Sequence, residues 1–441
     1  MCVAVGTVLR FWSLGTGPLT ADETYSAVAA HLPFAQIWGH IAATDRHPPF
    51  SYYLLSPVAH VTTSTFALRA PAALSATLAL AVFAWWQRRY GLAGLVATAL
   101  FAVSPFVLVY DRQARMFALL TLGAVVAAAA SDRWLATFET RWAVAAAAGG
   151  LLAALSYSVG FLLPGFLLLV PGWRWDRRAW IFRLTSAGAI GIWAVLWLGN
   201  SLKWAGAPSG YPSLTPSWVA GMINGMVAPV PADEWLVLVL LAAGLVVTLR
   251  QGGRPRQLVL TLVVVPVLVM IVLSARSELF IPKTLLMVAW AAPVLLGNLV
   301  VAAWNLRPLA AGAVVALLVL VVVPYIGPSL TIDEGEGPML AAVARARRPG
   351  DAVAIDPGYL GHLLDWYEGI VPGVPLRPDG QTMPGAVIFH PESGAQTGRI
   401  WLVRSPSRAP APSPGAGHWC GPELDVGGGY TLRCLQSGPG R

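Results

Sequence analysis

Long apolar runs separated by short polar segments occupy the first three quarters of the chain. The runs are close to the ~20 residues that an α-helix needs to cross a lipid bilayer. Almost no charged residue interrupts them. The pattern therefore predicts a polytopic α-helical membrane protein with about eleven transmembrane helices, near residues 1–15, 68–86, 92–109, 116–130, 143–157, 160–172, 180–200, 235–249, 257–275, 284–304 and 308–327.

Composition supports this fold class, and the placement of the basic residues argues against nucleic-acid binding. Of 441 residues, 56% are hydrophobic and only 11% are charged, whereas soluble proteins carry roughly 25% charged residues. The net charge of +8 would also suit a nucleic-acid-binding protein. The basic residues lie in short loops between apolar runs, however, where membrane topology explains them. We therefore expect membrane lipids, and no nucleic acid, as partners.

The distribution of basic residues predicts the orientation in the membrane. Every second loop is basic, whereas the remaining loops carry comparable numbers of basic and acidic residues. Under the positive-inside rule the basic loops are cytoplasmic. This predicts a multi-pass protein of the cell membrane with its first loop and its C-terminus outside. The basic loops contain Arg88, Arg89, Arg133, Arg141, Arg174, Arg177, Arg178, Arg183, Arg250, Arg254, Arg256 and Arg307.

After Pro328 the proportion of Pro, Gly and charged residues rises and no further spanning run occurs. We predict a transmembrane domain at residues 1–328, with a long first outer loop at 15–67, and a small extracytoplasmic α/β domain at 329–441. Cys420 and Cys434 both lie in this second domain. Because disulfides persist in oxidising compartments, we predict that these two cysteines are bridged.

Ionisable residues gather at the predicted outer ends of helices and not within the spans. Intramembrane or interfacial polar residues of this kind tend to mark function, and long ordered loops such as 15–67 are often functional. The groups are Asp22–Glu23, Asp45-Arg46-His47-Pro48-Pro49, Asp111-Arg112-Gln113-Ala114-Arg115 and Arg276–Lys283.

The order of the motifs resembles that of the C-type glycosyltransferases, and in particular the branch of protein O-mannosyltransferases and aminoarabinose transferases. The resemblance covers residues 8–120, with a weaker similarity at Glu278-Leu279-Phe280-Ile281-Pro282. It rests on Arg10-Phe11-Trp12-Ser13-Leu14, Asp22-Glu23, Asp45-x-His47-Pro48-Pro49, Leu68-Arg69-x-Pro71, and Ser104-Pro105 ahead of Tyr110 and Ala114-Arg115-Met116.

This resemblance implies an inverting transferase that moves a sugar, most frequently mannose in the family, from a polyprenyl-phosphate donor to a lipid, glycan or protein acceptor at the outer face. It implies that Asp22, beside Glu23, supplies the catalytic carboxylate. The sequence departs from the family at Gln113, where relatives often carry Glu. The role of that carboxylate is therefore either lost or moved to Asp111.

The chemistry of the reaction asks for the same residue types. A carboxylate must take the acceptor proton, and cations must stabilise the charge that develops on the leaving phosphate. We expect Asp22 as the base. The expected phosphate ligands are Arg115, Lys283, Arg276 and Arg46, and the expected substrate contacts are Asp45, His47, Asp111 and Tyr110. No residue pattern requires a metal ion or cofactor.

Structural explanations compete with several of these roles. Thr20-Ala21-Asp22-Glu23 has the pattern of a helix capping box. His47-Pro48-Pro49 is also the pattern of a rigid turn that enters a helix. Arg115 and Arg69 are candidates for snorkelling to lipid headgroups, the latter more strongly, and Lys283 is equally suited to anchor a helix.

Two other functions fit the same hydropathy. A transporter or lipid flippase would carry ionisable residues at mid-bilayer and paired broken helices, and the predicted spans are nearly free of charge. A non-catalytic membrane scaffold would act through residues 331–441. Convergence of Asp22, Arg115 and Lys283 on one outer cavity would favour the transferase over both.

Overall fold

The computed structural model describes residues 1–203, 214–227, 234–277, 280–331, 336–346, 348, 351–356, 376–383, 386–391, 399–404, 417–420, 422–427 and 430–437. The chain divides into two compact units. The first consists of residues 1–15 and 32–331, and the second of residues 16–31 and 332–441. The side chain of Arg276 lies outside the described part.

Helices account for nearly all of the first unit, as the apolar runs predict. Short 3-10 or π turns connect some of them, at Arg88–Tyr90, Ala194–Leu198, Leu260–Val264 and Leu286–Val288. The helices in chain order are α1 (Cys2–Phe11), α2 (Ala21–His31), α3 (Phe34–Thr44), α4 (Phe50–Ala59), α5 (Thr65–Gln87), α6 (Gly91–Val103), α7 (Pro105–Asp111), α8 (Phe117–Thr137), α9 (Thr140–Ser156), α10 (Leu162–Leu167), α11 (Arg177–Trp193), α12 (Gly199–Lys203), α13 (Pro216–Gly225), α14 (Glu234–Gln251), α15 (Gly253–Val259), α16 (Val265–Ser277), α17 (Pro282–Leu285), α18 (Ala291–Leu306), α19 (Pro308–Ser329) and α20 (Glu336–Ala346).

The protein is a multi-pass membrane protein. Within the described residues, five stretches are long and apolar enough to cross a membrane, and a sixth consists of two helical pieces bent by 55° at a short break, Pro282–Val288 and Ala291–Leu306. Three shorter apolar helices are present at Cys2–Phe11, Thr140–Ser156 and Trp235–Gln251. The five long stretches are Thr65–Val103, Phe117–Thr137, Arg177–Lys203, Gly253–Ser274 and Pro308–Ser329.

The stretch Thr65–Val103 contains two packed helices. Helices α5 and α6 pack against each other, so the chain reverses between them. Gly91 has φ +56°, a backbone conformation that side chains rarely tolerate, and it stands at this reversal. The sequence predicts two spans here, at 68–86 and 92–109, on either side of a basic loop. The two helices of this hairpin correspond to those spans.

Close approach of two helices explains part of the glycine content. Helices α8 and α9 pack along much of their length. A Cβ atom at Gly149 would lie 2.7 Å from the backbone oxygen of Gly123, so neither position has room for a side chain. Small residues that let backbones touch are a general device for helix association in membranes, where no hydrophobic driving force brings helices together.

Buried arginines fix the end of α1. The Arg10 guanidinium donates to Asp111 at the end of α7, with Nη2 to Oδ2 at 2.8 Å and neither side chain exposed. Arg112 donates to the carbonyls of Trp12 and Ser329. These bonds tie α1, α7 and α19 together, and because the charges are paired or hydrogen-bonded their burial is tolerated.

Arg69 belongs to the same framework. Its side chain is fully buried and donates to the carbonyl of Leu14 at 3.2 Å. The expectation that Arg69 snorkels to lipid headgroups is therefore wrong, because its guanidinium is directed into the protein.

A mixed sheet forms the described core of the second unit, beside helix α20, which packs on β6 and β7. The strand order is β2-β3-β1-β4-β7-β5, with β6 also on β7. Strands β1 and β4 are parallel, and the other pairs are antiparallel. The strands are β1 (Ala352–Asp356), β2 (Leu376–Met383), β3 (Ala386–Pro391), β4 (Arg399–Arg404), β5 (Gly417–Trp419), β6 (Leu424–Gly427) and β7 (Tyr430–Ser437).

The predicted disulfide between Cys420 and Cys434 is present. The two Cα atoms are 5.2 Å apart, and the Cys420 N–H also donates to the Cys434 carbonyl at 2.8 Å. The bridge joins the residue after β5 to the interior of β7. In the chain-entropy model, closing a loop of about 15 residues stabilises the fold by about 3 kcal/mol.

Thiol labelling tests this bridge and the number of free cysteines. We expect a maleimide to modify one cysteine, Cys2, in the unreduced, denatured protein, and three cysteines after reduction. Labelling of three cysteines without reductant would contradict the bridge. A Cys2→Ser variant serves as the control, since it should show no labelling before reduction.

Candidate active site

Residues from three predicted outer loops meet at one place in the first unit. The first outer loop contributes Asp45 and Tyr52, the loop before α8 contributes Arg115, and Lys283 comes from α17. Phe117, at the start of α8, lies between them. We call Asp45, Tyr52, Arg115, Phe117 and Lys283 the outer cluster.

A hydrogen-bonded chain links the carboxylate of the cluster to one of its cations. The Tyr52 hydroxyl donates to Asp45 Oδ2 at 2.5 Å, and Arg115 Nη1 donates to the Tyr52 oxygen at 3.4 Å. Tyr52 is 1% exposed. Asp45 also accepts the His47 N–H on its other oxygen, at 3.1 Å. These hydrogen bonds hold the Asp45 carboxylate in place and connect it to Arg115 through the Tyr52 hydroxyl.

Two cationic side chains lie against the aromatic ring of Phe117. The Arg115 guanidinium lies 5.9 Å from the ring centre, and Lys283 Nζ lies 5.4 Å from it. Both distances are within the reach of a cation–π interaction. Tyr110 packs edge-on against the same ring, with the ring centres 5.2 Å apart. Because both cations are half-buried, they are less screened than loop residues in water.

His47 lies at the base of the cluster. Its ring stacks on Tyr157 with the ring centres 4.6 Å apart. The Ser158 N–H donates to His47 Nδ1 at 3.2 Å, so Nδ1 is an acceptor and the ring proton is on Nε2. The predicted turn is also present, since helix α4 begins at Phe50 directly after His47-Pro48-Pro49.

Burial and positive charge keep His47 neutral. Burial lowers the pKa of His47 to about 3, opposed by Asp45 and assisted by the charges of Arg46, Arg115 and Lys283. For Asp45, burial alone would raise the pKa. The positive charge of Arg115 and the hydrogen bonds from the Tyr52 hydroxyl and the His47 backbone N–H lower it. Near neutral pH, Asp45 is therefore an anion and His47 is an uncharged donor.

This assignment gives a stability prediction. Unfolded histidine has a pKa of about 6.5, so between pH 6.5 and pH 3 the unfolded chain binds one more proton at His47 than the folded chain does. Stability must then fall as the pH falls. We expect His47 to contribute a loss of about 1 kcal/mol between pH 6.5 and pH 5.5. Asp45 contributes nothing there, because it is ionised in both states.

Denaturation of the wild type and of His47→Gln at pH 7.5 and pH 5.5 measures this contribution. The variant should lose less free energy of unfolding on acidification than the wild type. An equal loss in the two proteins would show that His47 is protonated in the fold.

Asp22 and Glu23 occupy the start of α2, which belongs to the second unit. The Thr20 N–H donates to Glu23 Oε2 at 2.9 Å, and the Glu23 N–H donates to Thr20 Oγ1 at 3.4 Å. These reciprocal bonds form the predicted capping box. Glu23 is fully buried, whereas Asp22 is half-buried and takes no part in the box.

The structure assigns Asp111 a role different from substrate contact. It is fully buried in its ion pair with Arg10, so its carboxylate cannot replace the Glu that relatives carry near Gln113. Arg46 is half-buried next to the cluster, and its carbonyl accepts a hydrogen bond from Trp197. Asn200 donates to the carbonyl of Asp45 at 3.1 Å, which ties α12 to the same loop.

Sequence reasoning missed three aromatic residues in or beside the outer cluster. Phe117 and Tyr157 lie inside predicted apolar spans and Tyr52 lies in the first outer loop, and nothing in the sequence distinguishes them from core positions. The motif spacing offered one signal, since Phe117 follows Arg115-Met116 directly. Among the described residues, no group of three or more His, Cys, Asp and Glu side chains is placed to hold a metal ion.

Solved structures share this architecture. ArnT from Cupriavidus metallidurans in the apo state superposes with a TM-score of 0.56 and 15% identity, over 100% of this chain and 98% of its own. The same protein bound to undecaprenyl phosphate gives 0.54 and 15% over the same shares. The chain has the fold of the C-type glycosyltransferases.

A third structure supports the C-type glycosyltransferase fold. The archaeal oligosaccharyltransferase AglB from Archaeoglobus fulgidus, in complex with an inhibitory peptide and a dolichol-phosphate, gives a TM-score of 0.50 and 11% identity, over 83% of this chain and 62% of its own. No family model and no curated protein matches the sequence. The resemblance inferred from the motifs is thus confirmed at the level of the fold.

Proposed function

We propose that the protein is a membrane glycosyltransferase that moves a sugar, mannose in the first instance, from a polyprenyl-phosphate donor to an acceptor hydroxyl. One observation carries this proposal. Two half-buried cations, Arg115 and Lys283, meet over the Phe117 ring in a chain with the C-type glycosyltransferase fold. Such a pair suits the phosphate of a lipid carrier, since charge-assisted bonds to phosphate are strong and directional.

The structural neighbours support the donor class. One ArnT structure contains undecaprenyl phosphate and the AglB structure contains a dolichol-phosphate. We propose that this chain binds the same kind of carrier, with Arg115 and Lys283 as phosphate ligands. Arg46, and Arg276 outside the described side chains, are further candidates. Asp45, Tyr110 and His47 would contact the sugar, with the His47 Nε2–H as a donor.

The proposed reaction is a single inverting displacement. The acceptor oxygen attacks the anomeric carbon and forms the new glycosidic bond, while the bond from that carbon to the phosphate oxygen breaks. Asp22 takes the acceptor proton, which contributes about 10²–10⁴-fold to the rate. The negative charge that remains on the polyprenyl phosphate is stabilised by Arg115 and Lys283.

Lipid, glycan and protein hydroxyls all remain candidate acceptors. We also propose that the second unit, residues 16–31 and 332–441, is extracytoplasmic. This placement follows from the charge distribution of the loops.

Incubation of the purified protein with a panel of labelled polyprenyl-phosphate sugars tests the proposal. A lipid extract, a glycan mixture and Ser/Thr-containing peptides serve as acceptors. We expect one donor to lose its sugar to one acceptor, with release of one polyprenyl phosphate per product. Transport across vesicles of an intact labelled lipid, with no transfer to any acceptor, would instead identify a flippase.

A further inference from the structure

Tyr52 lies between the carboxylate and one cation of the outer cluster. Its hydroxyl donates to Asp45 Oδ2 at 2.5 Å and accepts a hydrogen bond from Arg115 Nη1 at 3.4 Å. Because a hydroxyl has one proton, donation to Asp45 leaves an oxygen lone pair for the guanidinium. The hydrogen bonds therefore run in one direction, from Arg115 through Tyr52 to Asp45.

The packing of α4 fixes the Tyr52 ring. The buried residues of this helix follow spacings of three and four, which place their side chains on one helix face. Tyr52 is the first residue of this buried face and is 1% exposed. Its hydroxyl thus has a set position before any ligand binds. The buried face consists of Tyr52, Leu55, Ser56 and Ala59.

Asp45 is held by bonds that do not involve Tyr52. Its backbone N–H donates to the Ile41 carbonyl at 2.8 Å, and its Oδ1 accepts the His47 N–H at 3.1 Å. Asn200 donates to its carbonyl at 3.1 Å. The acceptor of the Tyr52 proton therefore belongs to a fixed loop, and the hydroxyl cannot turn away without losing a charge-assisted bond.

Arg115 depends more on its neighbours for its orientation. It lies in the turn between α7 and α8, where its backbone N–H donates to the Gln113 carbonyl at 2.6 Å. A long side chain on a turn has many rotamers, and ordering it on binding costs affinity. The Tyr52 hydroxyl and the Phe117 ring select one orientation before the ligand arrives. A guanidinium has five N–H donors, so the bond to Tyr52 is compatible with bidentate contact to a phosphate.

We propose that Tyr52 is a positioning residue that orders Arg115 for the phosphate of the lipid donor. This inference rests on the proposed function, since it concerns the same phosphate site. Tyr52 acts through Arg115 by preorganisation, which raises affinity because less rotamer entropy is lost on binding. A tyrosine with a purely structural role would also satisfy its buried hydroxyl, but its removal would not change affinity through Arg115.

A double-mutant cycle on the purified full-length protein tests this role. Binding of a fluorescent polyprenyl phosphate is titrated in the wild type, Tyr52→Phe, Arg115→Gln and the double variant. We expect Tyr52→Phe to lower the affinity about three- to tenfold, the factor that corresponds to ordering one long side chain. In the Arg115→Gln background the same change should have almost no effect, because the side chain that Tyr52 orders is absent. Melting temperatures report any separate loss of stability.

Two further comparisons separate positioning from packing. In a Lys283→Gln background, Tyr52→Phe should still lower the affinity, since Arg115 is present. Tyr53→Phe is the matched control, because Tyr53 is the next residue of α4 and packs on Phe34 with the ring centres 4.5 Å apart. It should bind the lipid as tightly as the wild type does.

A second variant covers a loss of stability in Tyr52→Phe. This change takes the phenol donor away from a charged Asp45 oxygen, which is destabilising. Asp45→Asn/Tyr52→Phe removes that charge as well. Its affinity should be lower than that of Asp45→Asn by the same factor of about three to ten, because Arg115 again lacks the Tyr52 oxygen.

The outcomes distinguish this inference from the proposed function. Equal losses from Tyr52→Phe with and without Arg115 would overturn the positioning role. Wild-type affinity in Tyr52→Phe beside a weakened Arg115→Gln would overturn it too, and would leave the phosphate site of the proposed function standing. Unchanged affinity in Arg115→Gln itself would contradict Arg115 as a phosphate ligand, and this inference with it.

Discussion

Replacement of Asp22 by asparagine should lower the transfer rate by about 10²-fold or more, with little change in stability or donor affinity. Asparagine keeps the size and hydrogen-bonding shape of the side chain but cannot accept the acceptor proton. The capping box survives because it uses Thr20 and Glu23, not the Asp22 side chain. Transfer rate, melting temperature and donor affinity measured on the same preparation separate these effects.

Glu23→Gln is the matched control for this change. Glutamine still accepts the Thr20 N–H, so the capping box remains and activity should be near that of the wild type. Thr20→Ala should cost about 1 kcal/mol of stability, because it removes the cap, with turnover per folded molecule unchanged. A fully active Asp22→Asn protein would overturn the proposed mechanism. If Glu23→Gln alone lowers the transfer rate, then Glu23 is the base and Asp22 is not.

Neutral replacements of the cations in the outer cluster should weaken donor binding. We expect Arg115→Gln and Lys283→Gln each to lower affinity for polyprenyl phosphate by about ten- to hundredfold. Loss of one charge-assisted bond to a partly desolvated phosphate costs roughly 1.5–3 kcal/mol. Titration with a fluorescent polyprenyl phosphate measures the affinity. The double variant should lose less than the sum, since both cations contact one ligand.

Conservative variants separate phosphate binding from helix anchoring. Lys283→Arg retains the charge at the Phe117 ring and should retain most of the affinity, and Arg177→Gln removes an exposed charge elsewhere and should leave it unchanged. Donor affinity that is unchanged in both neutral cluster variants would show that Arg115 and Lys283 only anchor their helices at the membrane interface.

Local and compositional rules determine much of this molecule from the sequence. Apolar runs long enough to span a bilayer give the membrane class, because no soluble fold tolerates them. The capping box at Thr20–Glu23 and the turn at His47-Pro48-Pro49 depend only on neighbouring residues, so their patterns predict them. The bridge between Cys420 and Cys434 follows from compartment and cysteine number.

The motif order also gives the fold of the C-type glycosyltransferases before any coordinate is known. What the motifs do is less visible in the sequence. Arg10 and Arg69 belong to motifs that resemble those of the transferases, and Asp111 lies between two such motifs, yet the structure uses all three in buried bonds that hold segments of the chain together. A sequence cannot distinguish an arginine that holds a carbonyl from one that holds a phosphate, because both need the same donor.

Only the tertiary structure decides which distant residues meet. Tyr52, Phe117 and Lys283 are far apart along the chain. Helix packing brings them together, and Arg115 and Lys283 both lie over the Phe117 ring. The same applies to Asp132 and Arg254, whose side chains approach to 3.8 Å. Hydropathy fixes which segments cross the membrane, because it depends on composition alone. The neighbours of a side chain depend on close packing of helices, which no local pattern encodes.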